Sequence, residues 1–202
     1  MSALPRVLLH NAATDEMEGW LREAYPGIDV ATAQDHPQVA KVLEVFRPDV
    51  AYCINFTGTG KFPRAAYLGP HSPKWIAVGG AGIDHLNPWD SDAVTVTNAA
   101  GVAADMMAEY VFGGFLHVTL DVPGLQADQR AKRWDRARVV RPLRGKTLLI
   151  VGLGHTGRRI AAMAQAFGMR VLGTRARPRP TENVDTVFAS SDLTEALPQA
   201  DF

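Results

Sequence analysis

The stretch Thr-Leu-Leu-Ile-Val-Gly-Leu-Gly-His-Thr-Gly at residues 147–157 decides the fold, because an apolar run leads directly into the glycine pattern G-x-G-x-x-G. Residues 158–169 then have the pattern of a helix, and residues 170–174 that of a second strand. A strand, a glycine turn, a helix and a strand in this order are what a dinucleotide-binding turn requires. The sequence therefore predicts a nucleotide-binding βαβ unit, with a glycine-rich turn that binds nothing as the alternative.

Each glycine of the motif has a predicted task. Gly152 permits the tight turn, Gly154 leaves room for a pyrophosphate, and Gly157 lets the helix pack closely on the strand. The start of the helix adds unpaired backbone N–H groups at His155 and Thr156, which can donate to phosphates. We predict that these five residues bind the cofactor.

The second strand of the unit indicates which dinucleotide is bound. NAD sites normally place an acidic side chain about 20 residues beyond the motif, where it accepts from the ribose 2′-OH. Here Thr174 is followed by Arg175-Ala-Arg177-Pro-Arg179, with no carboxylate before Glu182. Guanidinium groups bind phosphate by charge and in bidentate geometry. We therefore predict NADP(H) in preference to NAD(H), bound by Arg175 first, by Arg177 second and by the Thr174 hydroxyl as a further donor; a solvated basic loop is the alternative.

Composition limits the function classes. Hydrophobic residues make up 47% and charged residues 21%, as in an ordinary globular enzyme. The net charge of zero provides no field that attracts nucleic acid or anionic lipid, so we expect neither partner. The single cysteine, Cys53, excludes an internal disulfide and is expected to be a buried, inert thiol. We find no signal peptide, long apolar segment or metal-ligand set, and expect a cytoplasmic location.

Strand and helix patterns alternate along the chain, which predicts an α/β fold with parallel sheets in two domains, residues 1–100 and 101–202. Thr14 or Asp15 is expected to cap the first helix. A charged stretch at residues 126–141 is expected to be exposed. Strands are predicted at residues 7–11, 50–55, 74–78 and 94–98, and helices at 14–25, 36–46, 103–122 and 192–197.

Five further stretches carry a family resemblance. Taken together and in order, they resemble the D-isomer-specific 2-hydroxyacid dehydrogenases, which include glyoxylate/hydroxypyruvate reductases and phosphoglycerate dehydrogenase. The resemblance covers most of residues 74–202, whereas the first 70 residues match only in general pattern. The stretches are KWIAVGGAGIDHL at 74–86, VTN at 96–98 leading to MAEY at 107–110, QR-x-x-x-W at 129–134, LRGKTLLIVGLGHTG at 143–157 and AFGMRV at 166–171.

The resemblance implies two doubly wound parallel-sheet domains, a flavodoxin-like substrate domain and an incomplete Rossmann dinucleotide-binding domain. It also implies hydride transfer between NADP(H) and a small 2-hydroxy or 2-keto acid such as glyoxylate or hydroxypyruvate. The backbone N–H groups of Ala81 and Gly82 would contact the substrate carboxylate, with a tight turn that binds no ligand as the alternative. Met107 would lie near the nicotinamide, and residues 103–122 with 125–134 would form a homodimer contact.

The family's catalytic Arg, carboxylic acid and His are expected beyond Phe202, and none of the six histidines stands in a matching motif. We therefore expect a truncation, a frameshifted reading frame or a fragment of a longer enzyme, inactive on its own. The alternative is a non-catalytic, dinucleotide-sensing protein, because the same fold also serves as a transcriptional corepressor. Which keto acid is used is expected to depend on the loop at residues 56–61.

Overall fold

The computed structural model describes residues 4–55 and 60–202, so most of the predicted substrate-pocket loop at 56–61 lies outside the described residues. The chain divides into two compact units, one ending at Ala100 and the other running from Gly101 to Phe202. Each unit contains a parallel sheet, so the predicted α/β class with parallel strands is confirmed.

The first unit is built on a five-stranded sheet in which every neighbouring pair is parallel. The order β2-β1-β3-β4-β5 is that of flavodoxin-type doubly wound sheets, whose ligands bind where the strand order reverses, here between β1 and β3. A substrate-binding role for this unit stays a prediction. The strands are β1 Arg6–His10, β2 Asp29–Ala33, β3 Val50–Cys53, β4 Trp75–Val78 and β5 Thr95–Asn98.

The core of the first unit lies between the sheet and α2 (His36–Phe46), which has the predicted bounds. Asp35 caps this helix by accepting from the Gln38 N–H at 3.1 Å, and a proline occupies its first turn. The buried side chains include Leu8, Val39, Leu43 and Ile76. Cys53 is buried in the same core, as predicted, and burial raises the pKa of its thiol to about 12.

One prediction in this unit was wrong, and two elements were not predicted. Helix α1 (Thr14–Ala24) follows Ala13 without a side-chain cap, because Thr14 is buried and accepts from the Gln34 amide at 3.2 Å. Strand β2 was not predicted, since Asp-Val-Ala-Thr-Ala offers only one large aliphatic side chain and lies at the edge of the sheet. A short helix, α3 (Arg64–Tyr67), also lacked a sequence signal.

The second unit contains a three-stranded parallel sheet in the order β6-β7-β8. This arrangement corresponds to one mononucleotide-binding half of a dinucleotide fold. In its core, Leu148, Ile150 and Val171 of the sheet pack with Ala161 of α6. The elements are α4 Ala104–Thr119, α5 Val122–Arg130, β6 Thr147–Val151, α6 His155–Ala166, β7 Arg170–Arg175, β8 Thr186–Ala189 and α7 Leu193–Ala196.

Three features of this unit differ from prediction. The helix expected over 103–122 is α4, which ends at Thr119, and a separate helix, α5, begins at Val122 because Asp121 adopts φ +50° and its side chain caps α5. The helix after the glycine motif begins at His155, three residues earlier than expected. The stretch 126–141 is not exposed throughout, since Asp128 is 5% exposed and its carboxylate pairs with Arg133 and Arg138.

Candidate dinucleotide and substrate sites

The glycine turn between β6 and α6 has the geometry that the motif predicts. Gly152 has φ +100°, a conformation that residues with a side chain rarely adopt. A Cβ atom at Gly157 would lie 2.1 Å from the Gly152 carbonyl oxygen, so the helix can approach the strand only if this residue is glycine. A Cβ atom at Gly154 would meet no atom within 4 Å, which leaves open space before the helix. These residues fit a bound pyrophosphate.

The start of α6 presents hydrogen-bond donors to this space. The first backbone bond into the helix runs from the Arg158 N–H to the Gly154 carbonyl at 3.1 Å. Within residues 4–55 and 60–202, the backbone N–H groups of His155, Thr156 and Gly157 have no acceptor. A 12-residue helix concentrates partial positive charge at this end, so the site can bind an anion.

Thr174 links the end of β7 to the glycine turn. Its side chain is buried, and its hydroxyl oxygen accepts from the Gly152 N–H at 3.3 Å. Its carbonyl accepts from the Leu153 N–H at 3.2 Å. The hydroxyl therefore orients the turn, and only its hydrogen is left to donate to a ligand; the predicted contact of Thr174 with the cofactor stays a prediction.

The arginines beyond Thr174 lie around two clefts that share part of one wall. Arg175, half-buried, ends β7, while Arg177 and Arg179 are exposed. None of the three has an ion-pair partner in the part of the chain that the structure describes. The turn-side cleft, of about 590 Å³, is lined by Val151, Gly152, Leu153, Gly154, Thr174, Arg175, Ala176, Arg177, Arg179 and Ser190.

The second cleft lies beside α6 and is called here the helix-side cleft. It has a volume of about 660 Å³, and the ion pair between Arg159 and Asp105 brings the start of α4 to its wall. Met107 follows on α4 with 49% of its surface exposed, and its predicted contact with the nicotinamide stays a prediction. The lining consists of Gly101, Ala104, Asp105, His155, Arg158, Arg159, Ala162, Arg175 and the loop 179–183.

In the first unit, the turn after β4 exposes backbone donors at the carboxyl edge of the sheet. The Asn98 side-chain amide donates to the Ala81 carbonyl at 2.8 Å, and the Ala99 N–H donates to the Gly80 carbonyl at 3.1 Å. These bonds fix the turn to the end of β5. Among the described residues, the N–H groups of Ala81 and Gly82 have no acceptor, so the turn can bind a carboxylate.

A buried chain of hydrogen-bonded histidines lies at the end of β1 and was not predicted from the sequence. His10 Nδ1 lies 2.9 Å from the Tyr67 hydroxyl, His10 Nε2 lies 3.0 Å from His36 Nδ1, and His36 Nε2 lies 3.1 Å from the Asn55 carbonyl oxygen. The Asn55 carbonyl can only accept, so His36 donates to it through Nε2. Burial, with His36 as a smaller cause, lowers the pKa of His10 to about 4.

These partners lie 26 and 57 residues from His10, on α2 and α3, so only the packing of these helices against the end of β1 brings them together. The one sequence signal that could have indicated this chain is His10 near the end of the predicted strand 7–11, and it was overlooked. Within the described ranges, no group of three or more His, Cys, Asp or Glu side chains is placed to hold a metal ion. The same residues include no helix long and apolar enough to cross a membrane.

Comparison with known proteins identifies relatives of both units. Residues 112–202 match the family model of the D-isomer specific 2-hydroxyacid dehydrogenase NAD binding domain. D-3-phosphoglycerate dehydrogenase of Methanocaldococcus jannaschii is 32% identical over 136 residues, which cover 64% of this chain and 25% of that enzyme. Hydroxypyruvate reductase of Thermotoga maritima is 30% identical over 129 residues, 59% of this chain and 42% of that enzyme.

A solved structure extends the similarity over both units. A D-isomer specific 2-hydroxyacid dehydrogenase family protein from Aeromonas salmonicida superposes with a TM-score of 0.81 and 26% identity. The match covers 98% of this chain and 62% of that protein. This chain therefore spans less than two thirds of the length of these relatives.

Proposed function

The chain belongs to the D-isomer-specific 2-hydroxyacid dehydrogenase family, and we propose that the intact protein transfers hydride between NADP(H) and a small 2-keto or 2-hydroxy acid. The observation that carries the proposal is the end of β7, where Arg175 stands in place of the carboxylate that an NAD site uses for the ribose. The adjacent glycine turn supplies donors for the pyrophosphate.

The arginines favour NADPH over NADH by charge. A 2′-phosphate gives Arg175 and Arg177 partners for charge-assisted hydrogen bonds, whereas the 2′-OH of NADH leaves them facing only a neutral group. Each such bond contributes roughly 1.5–3 kcal/mol, and partial exposure places the total near the lower end. We expect NADPH to bind about tenfold to a thousandfold more tightly than NADH.

The substrate is proposed to bind through its carboxylate at the Ala81-Gly82 turn. Two backbone N–H groups without acceptors in the described residues match the two oxygens of a carboxylate. The turn lies at the carboxyl edge of the sheet, which is the edge at which doubly wound sheets bind their ligands. Hydroxypyruvate and glyoxylate are the proposed substrates; the Thermotoga relative is named for reduction of the first.

Steady-state kinetics of the intact protein test this function. We expect oxidation of NADPH, followed at its nicotinamide absorbance, with either glyoxylate or hydroxypyruvate at rates of about 1–1,000 per second. A reaction without keto acid provides the background. Binding of NADPH without turnover of any small 2-keto acid would contradict the reductase and favour a dinucleotide-sensing protein.

We also infer that the protein forms a homodimer through residues 103–122 and 125–134, which include α4, α5 and the start of the arm that follows α5 (residues 131–138). Tyr110 and Trp134 are 81% and 85% exposed, and Asp128 holds the arm through its pairs with Arg133 and Arg138. Large exposed aromatic side chains are typical of interfaces, and two-fold dimers are the commonest assembly. Light scattering at micromolar concentration is expected to give a dimer, and a monomer would contradict this. A cytoplasmic location stays a prediction.

A further inference from the structure

The residues that follow β3 leave the sheet beside the turn that follows β4. The two strands are parallel and paired in register to their carboxyl ends. The Gly79 N–H donates to the Cys53 carbonyl at 2.9 Å, so the pairing continues past the last residue of β4. Asn55 and Gly80 each stand two residues beyond the end of their strand, and neighbouring strands are about 4.8 Å apart. Asn55 is therefore close to the Ala81-Gly82 turn.

A buried histidine holds the backbone of Asn55. His36 is the first residue of α2, whose start is capped by Asp35. Its Nε2 atom donates to the Asn55 carbonyl at 3.1 Å, and the residue is 4% exposed. On the other side, His36 Nδ1 lies 3.0 Å from Nε2 of the buried His10. The imidazole is therefore held at both nitrogens, and it fixes the point at which Asn55 leaves the sheet.

The side chain of Asn55 is available to a ligand. Asn55 is exposed, and among the described residues its one hydrogen bond is the bond from His36, which uses the backbone carbonyl. A side-chain amide can both donate to a hydroxyl group and accept from it. Hydroxypyruvate carries a hydroxyl group on its third carbon, whereas glyoxylate has two carbons and lacks this group. The two proposed substrates therefore differ in the group that Asn55 could bind.

We propose that the Asn55 side-chain amide binds the hydroxyl group of hydroxypyruvate, and that His36 is a positioning residue that holds Asn55 through its carbonyl. The carboxylate is assigned to the Ala81-Gly82 turn, so the ends of neighbouring strands bind the two ends of a three-carbon acid. Glyoxylate makes only the contact with the turn. This inference rests on the proposed reductase function and on the proposed place of the substrate carboxylate.

Steady-state kinetics of the intact protein test the contact with the hydroxyl group. Asn55→Ala is expected to raise KM for hydroxypyruvate about tenfold, which corresponds to the loss of one hydrogen bond. KM for glyoxylate is expected to change less than twofold, because glyoxylate has no group for the amide to bind. KM for NADPH serves as a second reference and is expected to keep its wild-type value. Asn55 is exposed, so its truncation leaves the core intact.

A second set of variants tests the role of His36. His36→Leu removes the donor to the Asn55 carbonyl and is expected to show the same selective rise in KM for hydroxypyruvate. His36→Gln is expected to restore the wild-type KM, because the glutamine amide also carries N–H donors. The matched control is Tyr67→Phe, which removes the hydroxyl group 2.9 Å from His10 Nδ1 at the far end of the same chain. This control is expected to lower stability without changing either KM.

The outcomes separate this inference from the proposed function. With both keto acids reduced by the wild type, an equal rise in both KM values for Asn55→Ala, or no rise in either, would overturn the contact with the hydroxyl group and leave the function standing. An unchanged KM for hydroxypyruvate in His36→Leu, or the same rise in Tyr67→Phe, would overturn the positioning role. A wild-type protein that reduces neither keto acid would overturn both the inference and the function.

Discussion

Replacing Gly157 by alanine tests the glycine turn most sharply, because this position has no space for a side chain. The new Cβ atom would lie 2.1 Å from the Gly152 carbonyl oxygen and 3.1 Å from Ile150 Cγ2. Non-bonded heavy atoms pack best at about 3.5 Å, so α6 has to move away from the strand by about 1.4 Å. Such a displacement moves the N-terminus of α6, and with it the backbone N–H groups assigned to the pyrophosphate.

The expected losses follow from that displacement. Forcing an extra methyl group into a packed contact costs about 1–3 kcal/mol of folding stability. A donor moved by about 1 Å leaves hydrogen-bond range, and the loss of one charge-assisted bond to the pyrophosphate costs about 1.5–3 kcal/mol. We therefore expect NADPH and NADH, which share the pyrophosphate, to bind about tenfold to a hundredfold more weakly.

Fluorescence titration and thermal denaturation of intact variants separate the two losses. Gly154→Ala is expected to keep wild-type stability and lose affinity, because its Cβ atom meets no protein atom but enters the space assigned to the pyrophosphate. Gly113→Ala, a helical position in α4 with no neighbour within 4 Å, is expected to leave binding unchanged. Wild-type affinity of Gly157→Ala for both dinucleotides would refute the assignment of this turn.

Three further predictions concern other parts of the two units. Arg175→Asp is expected to erase or reverse the preference for NADPH in titrations at fixed ionic strength, and an unchanged preference would show a solvated loop. Asn98→Ala removes the bond that fixes the Ala81 carbonyl and should raise KM for the keto acid about tenfold, with an unaltered KM for NADPH as the control. His10 has a pKa of about 4 when folded and near 6.5 when unfolded. Its contribution to the free energy of unfolding is therefore fully present above pH 6.5 and falls by about 3 kcal/mol towards pH 4. Denaturant unfolding across this range should show the fall, and a flat profile would contradict a buried, neutral His10.

Local sequence patterns predicted the elements whose signals lie within a few residues. Helix α2 has the predicted bounds because its cap, its proline and its apolar periodicity agree. The glycine turn between β6 and α6 was predicted for the same reason, since strand, glycines and helix follow one another directly. The dinucleotide-binding half of the fold therefore needed little long-range information.

Features that depend on distant residues were missed or misplaced. The strand Asp29–Ala33 forms through pairing with β1, not through its own weak pattern. Asp128 is buried because Arg133 and Arg138 pair with its carboxylate, so the charged stretch 126–141, which was expected to be exposed, is partly buried. The chain from Tyr67 through His10 to His36 joins α3, β1 and α2, and a single sequence does not reveal how these elements pack.

The dissociation constants of NADPH and NADH for the intact wild-type protein, measured at one ionic strength, test the central claim most directly. Arg175, Arg177 and Arg179 have no ion-pair partner among the described residues, and they predict that NADPH binds about tenfold to a thousandfold more tightly. Equal constants, or tighter binding of NADH, would contradict the account.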